Sequence, residues 1–220
     1  MRQLFVAASL LVLGGCNVVM TKTPLFSSAD AAGAPQLRLG VWRGESDGPC
    51  AVNEALPIAR WPDCANVLVV EDGLLSFHNR DVKGQPTVSS IPFVLAGGSP
   101  SVLQATERDP DAKAGDPADD VAYFYMGLRP TKTDPKGRIT AFTAWSTLCG
   151  PPPPNDAKTT DGKNTRYGSL SPLPGLIMDR QENDCTTPSK DALHAAAAAS
   201  EQWTKPESRV AAHWVRDGDR

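Results

Sequence analysis

The sequence predicts a mainly β fold, either an antiparallel β-sandwich or a small barrel, with one helix near the C-terminus; an α+β fold is the alternative. Runs in which apolar and polar residues alternate are separated by turn residues, which is typical of antiparallel strands. The 220 residues include 20 prolines and 18 glycines, which favour turns over long helices. Only the segment 186–203 has the composition of a helix, so we expect strands to form most of the fold.

The first strand is predicted at 37–42, where every second residue is Leu or Val. The clearest hairpin signal is 66–79, in which two β-rich runs flank Asp72-Gly73, a favoured pair for a two-residue turn. That register puts four apolar residues on the core side of the sheet: Leu68, Val70, Leu75 and Phe77. It leaves four others on a more exposed side: Val67, Val69, Ser76 and His78.

Later strands follow the same pattern. Residues 91–106 predict two short strands that break at the GGSP sequence of 97–100. The runs 121–128 and 138–149 predict a second hairpin around DPKG, which has the residue preferences of a type I turn. Two further short strands are predicted at 175–179 and 208–216.

The helix is predicted from its N-terminal residues and its alanines. Thr187 is a suitable N-cap, Pro188 suits the first helical position, and five consecutive alanines occupy 195–199. The spacing predicts a narrow buried stripe made of Leu193, Ala196, Ala197 and Ser200.

The N-terminus combines a short apolar run with two glycines and a cysteine. The uncharged run 4–13 has the length of a signal-peptide core and is too short to span a bilayer, which takes roughly 20 residues. It ends in Leu13-Gly14-Gly15-Cys16, which resembles the lipobox of bacterial lipoproteins. The resemblance implies cleavage before Cys16, a diacylglyceryl group on its sulfur and an acylated amine. The alternatives are a buried cysteine at the start of a core helix and an uncleaved membrane anchor.

This resemblance divides the chain into a lipoprotein signal peptide (1–15), a flexible tether of small polar residues (16–35) and a single β-rich domain (36–220). The expected partner of the lipid is a membrane, because two or three acyl chains hold a protein firmly. In the enterobacterial sorting pattern, Asp after the lipidated cysteine retains a protein at the inner membrane. Asn17 therefore favours the cell outer membrane, with the domain facing the periplasm or the surface.

Charge and cysteine usage agree with an exported protein. Without 1–15 the chain has 21 Lys and Arg against 25 Asp and Glu, a formal charge of −4, which argues against nucleic acid as a partner. Besides Cys16, an even number of cysteines remains, which predicts disulfides with three possible connectivities. Proximity favours Cys50–Cys64, and then Cys149–Cys185. A zinc site is the alternative, but such sites usually contain close C-x2-C pairs.

The usual catalytic and metal-binding signatures are missing from the sequence. The three histidines lie on separate predicted elements (His78, His194 and His213), and the nearest approach to G-x-S-x-G, at 168–172, lacks the final glycine. Five aspartates at 109–120 could gather calcium, but Lys113 and Ala114 occupy EF-hand positions that need a ligand and a glycine. We therefore predict a solvated loop there, and no catalytic residue, metal or cofactor.

The leading hypothesis is a lipid-anchored, non-enzymatic protein that binds or scaffolds an envelope protein. Its candidate contact surface is the proline-rich loop 150–175 with Arg166 and Tyr167, since long ordered loops are often functional; a featureless loop is the alternative. A second hypothesis comes from Gly40-Val41-Trp42, which resembles the G-x-W of lipocalins and implies an eight-stranded barrel that carries a small apolar ligand. A third is a hydrolase with a dispersed site around His78 or His213.

Overall fold

The computed structural model describes residues 17–45, 48–80, 84–108, 121–152, 171–178 and 184–218. Eight long antiparallel strands of these residues close into a barrel, and one helix precedes the last strand. The strands are β1 (Met20–Thr21), β2 (Gly40–Gly44), β3 (Asn66–Glu71), β4 (Leu74–Arg80), β5 (Pro86–Ala96), β6 (Ser101–Arg108), β7 (Val121–Thr133), β8 (Ile139–Ser146), β9 (Ile177–Met178), β10 (Cys185–Thr186) and β11 (Val210–Arg216). The helices are α1 (Ser28–Ala31) and α2 (Lys190–Trp203). The predicted fold class is confirmed, in its barrel form.

The barrel has a simple up-and-down order from β2 to β8, in which each strand pairs with the next, and β7 pairs with both β6 and β8. The ring is closed by β11, which lies between β8 and β2. The strand predicted at 37–42 begins later, at Gly40, and Leu37 makes only an isolated bridge with Ile139. The strand predicted at 91–96 begins earlier, at Pro86.

The hairpin register predicted for 66–79 is confirmed, with Val70 opposite Leu75 and Leu68 opposite Phe77. These side chains belong to the barrel interior, whose described core includes Trp42, Leu95, Leu128, Ile139 and Phe142. The expected exposure of the other face needs correction at Val67 and Ser76, which are both buried. Val67 packs with Ile58 and Trp61 because the segment 48–65 folds back against the outside of β2 and β3.

Trp42 belongs to the barrel core and is fully buried. Its Nε1 donates a hydrogen bond to the Arg38 carbonyl at 2.8 Å, and its ring lies 5.4 Å from that of Phe142. Gly40 has a φ of +120°, and a Cβ at this position would collide with the backbone carbonyl of Arg216 on β11. The glycine of the G-x-W sequence is therefore needed where β11 passes close to β2.

Helix α2 covers the outside of the barrel over β6, β7 and β8. The predicted stripe of four residues is buried, as expected. Trp145 of β8 donates a hydrogen bond through Nε1 to the Ala197 carbonyl at 2.8 Å, and its ring lies over Gly127, where a Cβ would be only 2.5 Å from the indole. Small residues on the helix and a glycine on the sheet thus make room for one large side chain.

The helix cap is Ser189, which accepts a hydrogen bond from the Ala192 amide, and the predicted cap Thr187 is wrong by two residues. The Thr187 hydroxyl accepts from the Ser189 amide and donates to the Gly175 carbonyl at 2.8 Å. Because these bonds hold the Thr187 side chain in the preceding turn, the helix starts only at Lys190.

The described part of the expected tether, 17–35, is folded against the barrel. Val19 and Phe26 are buried, and β1 pairs with β7 in the register Met20–Phe124 and Thr21–Tyr123. The expectation of a flexible tether is thus corrected for these residues. Their apolar side chains complete a second core between the barrel wall and α2, which stabilises the segment by burying them.

Candidate functional site

Only some of the residues predicted for function lie within the part of the chain that the structure describes. Cys16, Arg166 and Tyr167 lie outside the described residues, as do the five aspartates at 109–120. The four remaining cysteines are described and form the pairing that proximity favoured, Cys50–Cys64 and Cys149–Cys185, each with a Cα–Cα distance of 5.8 Å. The first bridge closes the segment that packs on β2 and β3, and the second joins the end of β8 to β10.

A groove of about 640 Å³ lies on the barrel wall where β5, β6 and β7 meet the N-terminal segment. Pro24 and Phe26 form one side, residues 90–94 of β5 form another, and Thr106 and Tyr123 lie on β6 and β7. The lining is mainly apolar and aromatic, with a few hydroxyl and amide groups, which is typical of small-molecule sites.

The groove exists because β5 and β6 separate part of the way along the barrel. They pair only from Phe93 to Ala96, opposite 102–105, while residues 86–92 of β5 pair with β4 alone. Beyond that point β6 continues along β7 as far as Arg108. The two strands therefore leave a wall opening, and Ile91 and Phe93 line the groove while also packing against the interior core.

Prolines mark the β5 edge of this wall opening. Residues of a strand point their amides alternately to the two neighbouring strands. Phe93 directs its amide towards Gly73 at the β3–β4 turn, at 2.9 Å, so Pro86 and Pro92 fall on the side that faces β6. Proline has no amide hydrogen to donate there, which is how natural sheets protect an edge from further pairing.

Gln104 fixes the N-terminal side of the groove. Its side-chain oxygen accepts hydrogen bonds from the amides of Leu25 and Phe26, both at 2.8 Å, and its Nε2 donates to the Phe26 carbonyl at 3.0 Å. Gln104 is buried, so these three bonds satisfy an amide that would otherwise be costly to bury. The Phe26 ring is therefore held in place before any ligand binds.

Two further contacts stiffen the same side. The Thr21 hydroxyl lies 2.5 Å from the Tyr125 hydroxyl, where burial raises the pKa of Tyr125 despite the opposing hydrogen bond. Lys190 donates a hydrogen bond to Asp30 at 2.5 Å, and this bond, with those from Ser27, lowers the pKa of Asp30 to about 2. The N-terminal segment is thus attached both to β7 and to α2.

A charged cluster lies on the outside of β2 and β11, where it attaches the segment 48–65. Glu54 accepts a hydrogen bond from Arg43 at 3.0 Å and contacts His213 Nε2 at 3.1 Å. Burial opposes ionisation of Glu54, but these hydrogen bonds outweigh it and lower the pKa of the carboxyl. Arg216 donates to the Glu54 and Leu56 carbonyls. These contacts are structural, since each charged group is used to hold a loop.

The described histidines do not converge on a serine. His213 contacts Glu54, while the His194 ring packs edge-on against Phe26 with centroids 5.5 Å apart. His78 lies on β4 opposite Val67 of β3. These environments give no support to the hydrolase hypothesis in the part of the chain that the structure describes.

The residues that build the groove were missed at the sequence level. Gln104 and Tyr123 sit on predicted strands without any distinguishing spacing, and Phe26 was assigned to the tether. The available signal was the apolar group Pro24-Leu25-Phe26 inside a segment that was expected to be solvated.

No group of three or more His, Cys, Asp or Glu side chains is arranged to hold a metal ion within the described ranges. No helix among the described residues is sufficiently long and apolar to cross a bilayer. In comparisons with known proteins, no family model, no curated protein and no solved structure matches this chain.

Proposed function

We propose that this chain is a lipid-anchored, non-enzymatic binding protein of the bacterial cell envelope, which takes a small and largely apolar ligand in the groove between β5, β6 and β7. The groove is the observation that supports the proposal. Its volume of about 640 Å³ falls in the range of small-molecule sites, about 300–1,000 Å³. Its lining offers aromatic and aliphatic contacts together with the Tyr123 and Thr106 hydroxyls.

The binding mode differs from that of an enclosed carrier. The fold is compatible with a lipocalin-like binder, but Trp42, Leu95, Leu128 and Ile139 are each at most 1% exposed and fill much of the barrel interior. A ligand would instead lie in the wall opening, in contact with Ile91 and Phe93. The prolines on β5 favour a small molecule over an added strand from an envelope protein, since they leave few amides for pairing.

The groove can be tested by blocking it. We expect the uncharged fluorophore N-phenyl-1-naphthylamine to bind the wild-type protein saturably, and Thr106→Trp to weaken this binding more than tenfold, because an indole would occupy the space that the probe needs. Val88→Trp is the matched control, because Val88 lies on β5 outside the lining and is already 58% exposed. Fluorescence titration measures both. Equal binding by the two variants, with unchanged circular dichroism, would contradict the site.

The anchor is tested separately at Cys16. We expect Cys16→Ser to accumulate as an unprocessed precursor that incorporates no labelled fatty acid, because the serine lacks the sulfur that carries the diacylglyceryl group. Cys64→Ser is a control for the loss of a cysteine elsewhere in the chain. Electrophoresis and mass spectrometry of the membrane fraction give the result. Normal processing of Cys16→Ser at residue 15 would refute lipidation, and with it the expected location at the outer membrane.

A further inference from the structure

The chain is fixed to the folded body from its first described residue. Asn17 is only 4% exposed, its Nδ2 donates to the Gly150 carbonyl at 3.0 Å, and its own carbonyl accepts from the Cys149 amide at 2.8 Å. Its φ of 102° is unusual for a residue with a side chain, although asparagine tolerates positive φ better than most. Both the backbone and the side chain of Asn17 are therefore committed to one position.

The next two residues are held equally firmly. The Val18 amide donates to Asp184 Oδ1 at 3.3 Å and its carbonyl accepts from the Cys185 amide at 3.1 Å. The Val19 amide donates to the Thr147 carbonyl at 2.8 Å, and its side chain is fully buried. Because the Cys149–Cys185 disulfide joins the two segments that grip residues 17–19, we call this arrangement the N-terminal clamp.

From this clamp, and resting on the proposed lipid attachment at Cys16, we infer that the barrel lies directly on the lipid bilayer in one fixed orientation. One peptide bond separates Cys16 from the immobilised Asn17, and one residue spans at most about 3.6 Å. A flexible segment over 16–35 could instead have held the domain up to about 65 Å from the membrane. The acyl chains can enter the bilayer only if the surface around the clamp approaches the headgroups.

The surface that meets the headgroups is formed by Pro151 and Pro152, which follow Gly150, and by the paired strands β9 and β10 beside Val18. Both prolines are exposed, and Ile177 of β9 is 59% exposed, one of the most exposed large apolar side chains in the described ranges. The nearby Asp184 carboxylate is turned towards the Val18 amide, so it is used within the protein. Apolar side chains placed at a lipid anchor favour insertion at the level of the headgroups.

The barrel topology identifies a surface that must point away from the membrane. The clamp lies beside β7 and β8, at the end where β8 terminates. In the closed ring, β3 and β4 lie on the opposite wall, and their connecting turn is at the other end of the barrel. Asp72 in that turn is exposed, so it provides a matched reference position.

The experiment uses the full-length lipidated protein in vesicles of phosphatidylethanolamine and phosphatidylglycerol that contain a headgroup nitroxide lipid. A nitrobenzoxadiazole label is attached to a single added cysteine, Ile177→Cys or Asp72→Cys. We expect at least threefold stronger quenching at position 177 than at position 72. Inserting ten Gly and Ser residues between Cys16 and Asn17 should remove this difference while the protein still floats with the vesicles.

The results distinguish the docking of the barrel on the bilayer from the lipid attachment at Cys16. Equal quenching at the two positions in a protein that carries lipid and floats with vesicles would overturn the docking and leave the proposed anchor intact. A strong difference that persists after the ten-residue insertion would overturn the role of the clamp. A purified protein without lipid, shown by mass spectrometry, would overturn the docking and the proposed anchor together. Binding of the fluorophore in the groove is measured in solution, so it does not depend on the membrane docking or on the lipid anchor.

Discussion

Replacing Trp42 with alanine is expected to lower the free energy of unfolding by about 3–5 kcal/mol, the range for truncating a large buried aromatic side chain. Trp42 is fully buried, packs against Phe142 and donates a hydrogen bond to the Arg38 carbonyl. The alanine would leave a cavity in the barrel core, and the Arg38 carbonyl would lose its donor. Urea denaturation followed by circular dichroism measures the change.

Two variants serve as controls for Trp42→Ala. Trp42→Phe retains most of the ring volume but loses the Nε1 donor, so its loss should be smaller, about 1–3 kcal/mol. Leu39→Ala removes a neighbouring apolar side chain that is 51% exposed, and surface changes of this kind usually stay within about 0.5 kcal/mol. A loss below about 1 kcal/mol for Trp42→Ala would show that this residue does not fill the core.

Removing the Cys149–Cys185 disulfide by replacing both cysteines with alanine is expected to cost about 4 kcal/mol. The bridge closes a loop with a sequence separation of 36, and the chain-entropy model gives a cost of this size for such a loop. Both cysteines are buried in the second core, so the alanines also lose packing. The unfolding free energy of the purified domain in urea, without reductant, is the relevant measurement.

The Cys50–Cys64 bridge is the internal reference for that prediction. Its sequence separation is 14, so the same model gives a smaller cost of about 3 kcal/mol. It also lies in the segment 48–65 on the far side of the barrel from α2, where its loss should leave residues 17–19 in place. An equal or greater loss from removing Cys50–Cys64 would contradict the role assigned to the second bridge.

The sequence was informative wherever structure is decided by neighbours along the chain. The hairpin around Asp72-Gly73 could be predicted to the residue, because the turn and the alternation of apolar residues specify the same register. The stripe on α2 was predictable for the same reason. The helix cap was not predictable in this way, because the hydrogen bond from Thr187 to the distant Gly175 carbonyl decided where the helix begins.

The groove and the N-terminal segment depend on contacts between distant residues, which local patterns do not contain. Gln104 binds Phe26 across 78 positions of the chain, and Val67 is buried only because Ile58 and Trp61 return over it. Residues 17–26 have no strand or helix periodicity, so the burial of Val19 and Phe26 against α2 could not be read from spacing. The choice of a barrel over a sandwich also depended on a distant pairing, that of β8 with β11.

The position of β11 in the ring has a consequence for biosynthesis. This strand is synthesised after every other strand of the ring, yet its place is between β2, which is the earliest of the ring strands in the chain, and β8. Until Val210–Arg216 has been synthesised and delivered, β2 and β8 both present unsatisfied backbone groups that can recruit other chains. Assembly through such long-range pairing is slow, so a nascent chain of this protein needs protection until this strand is available.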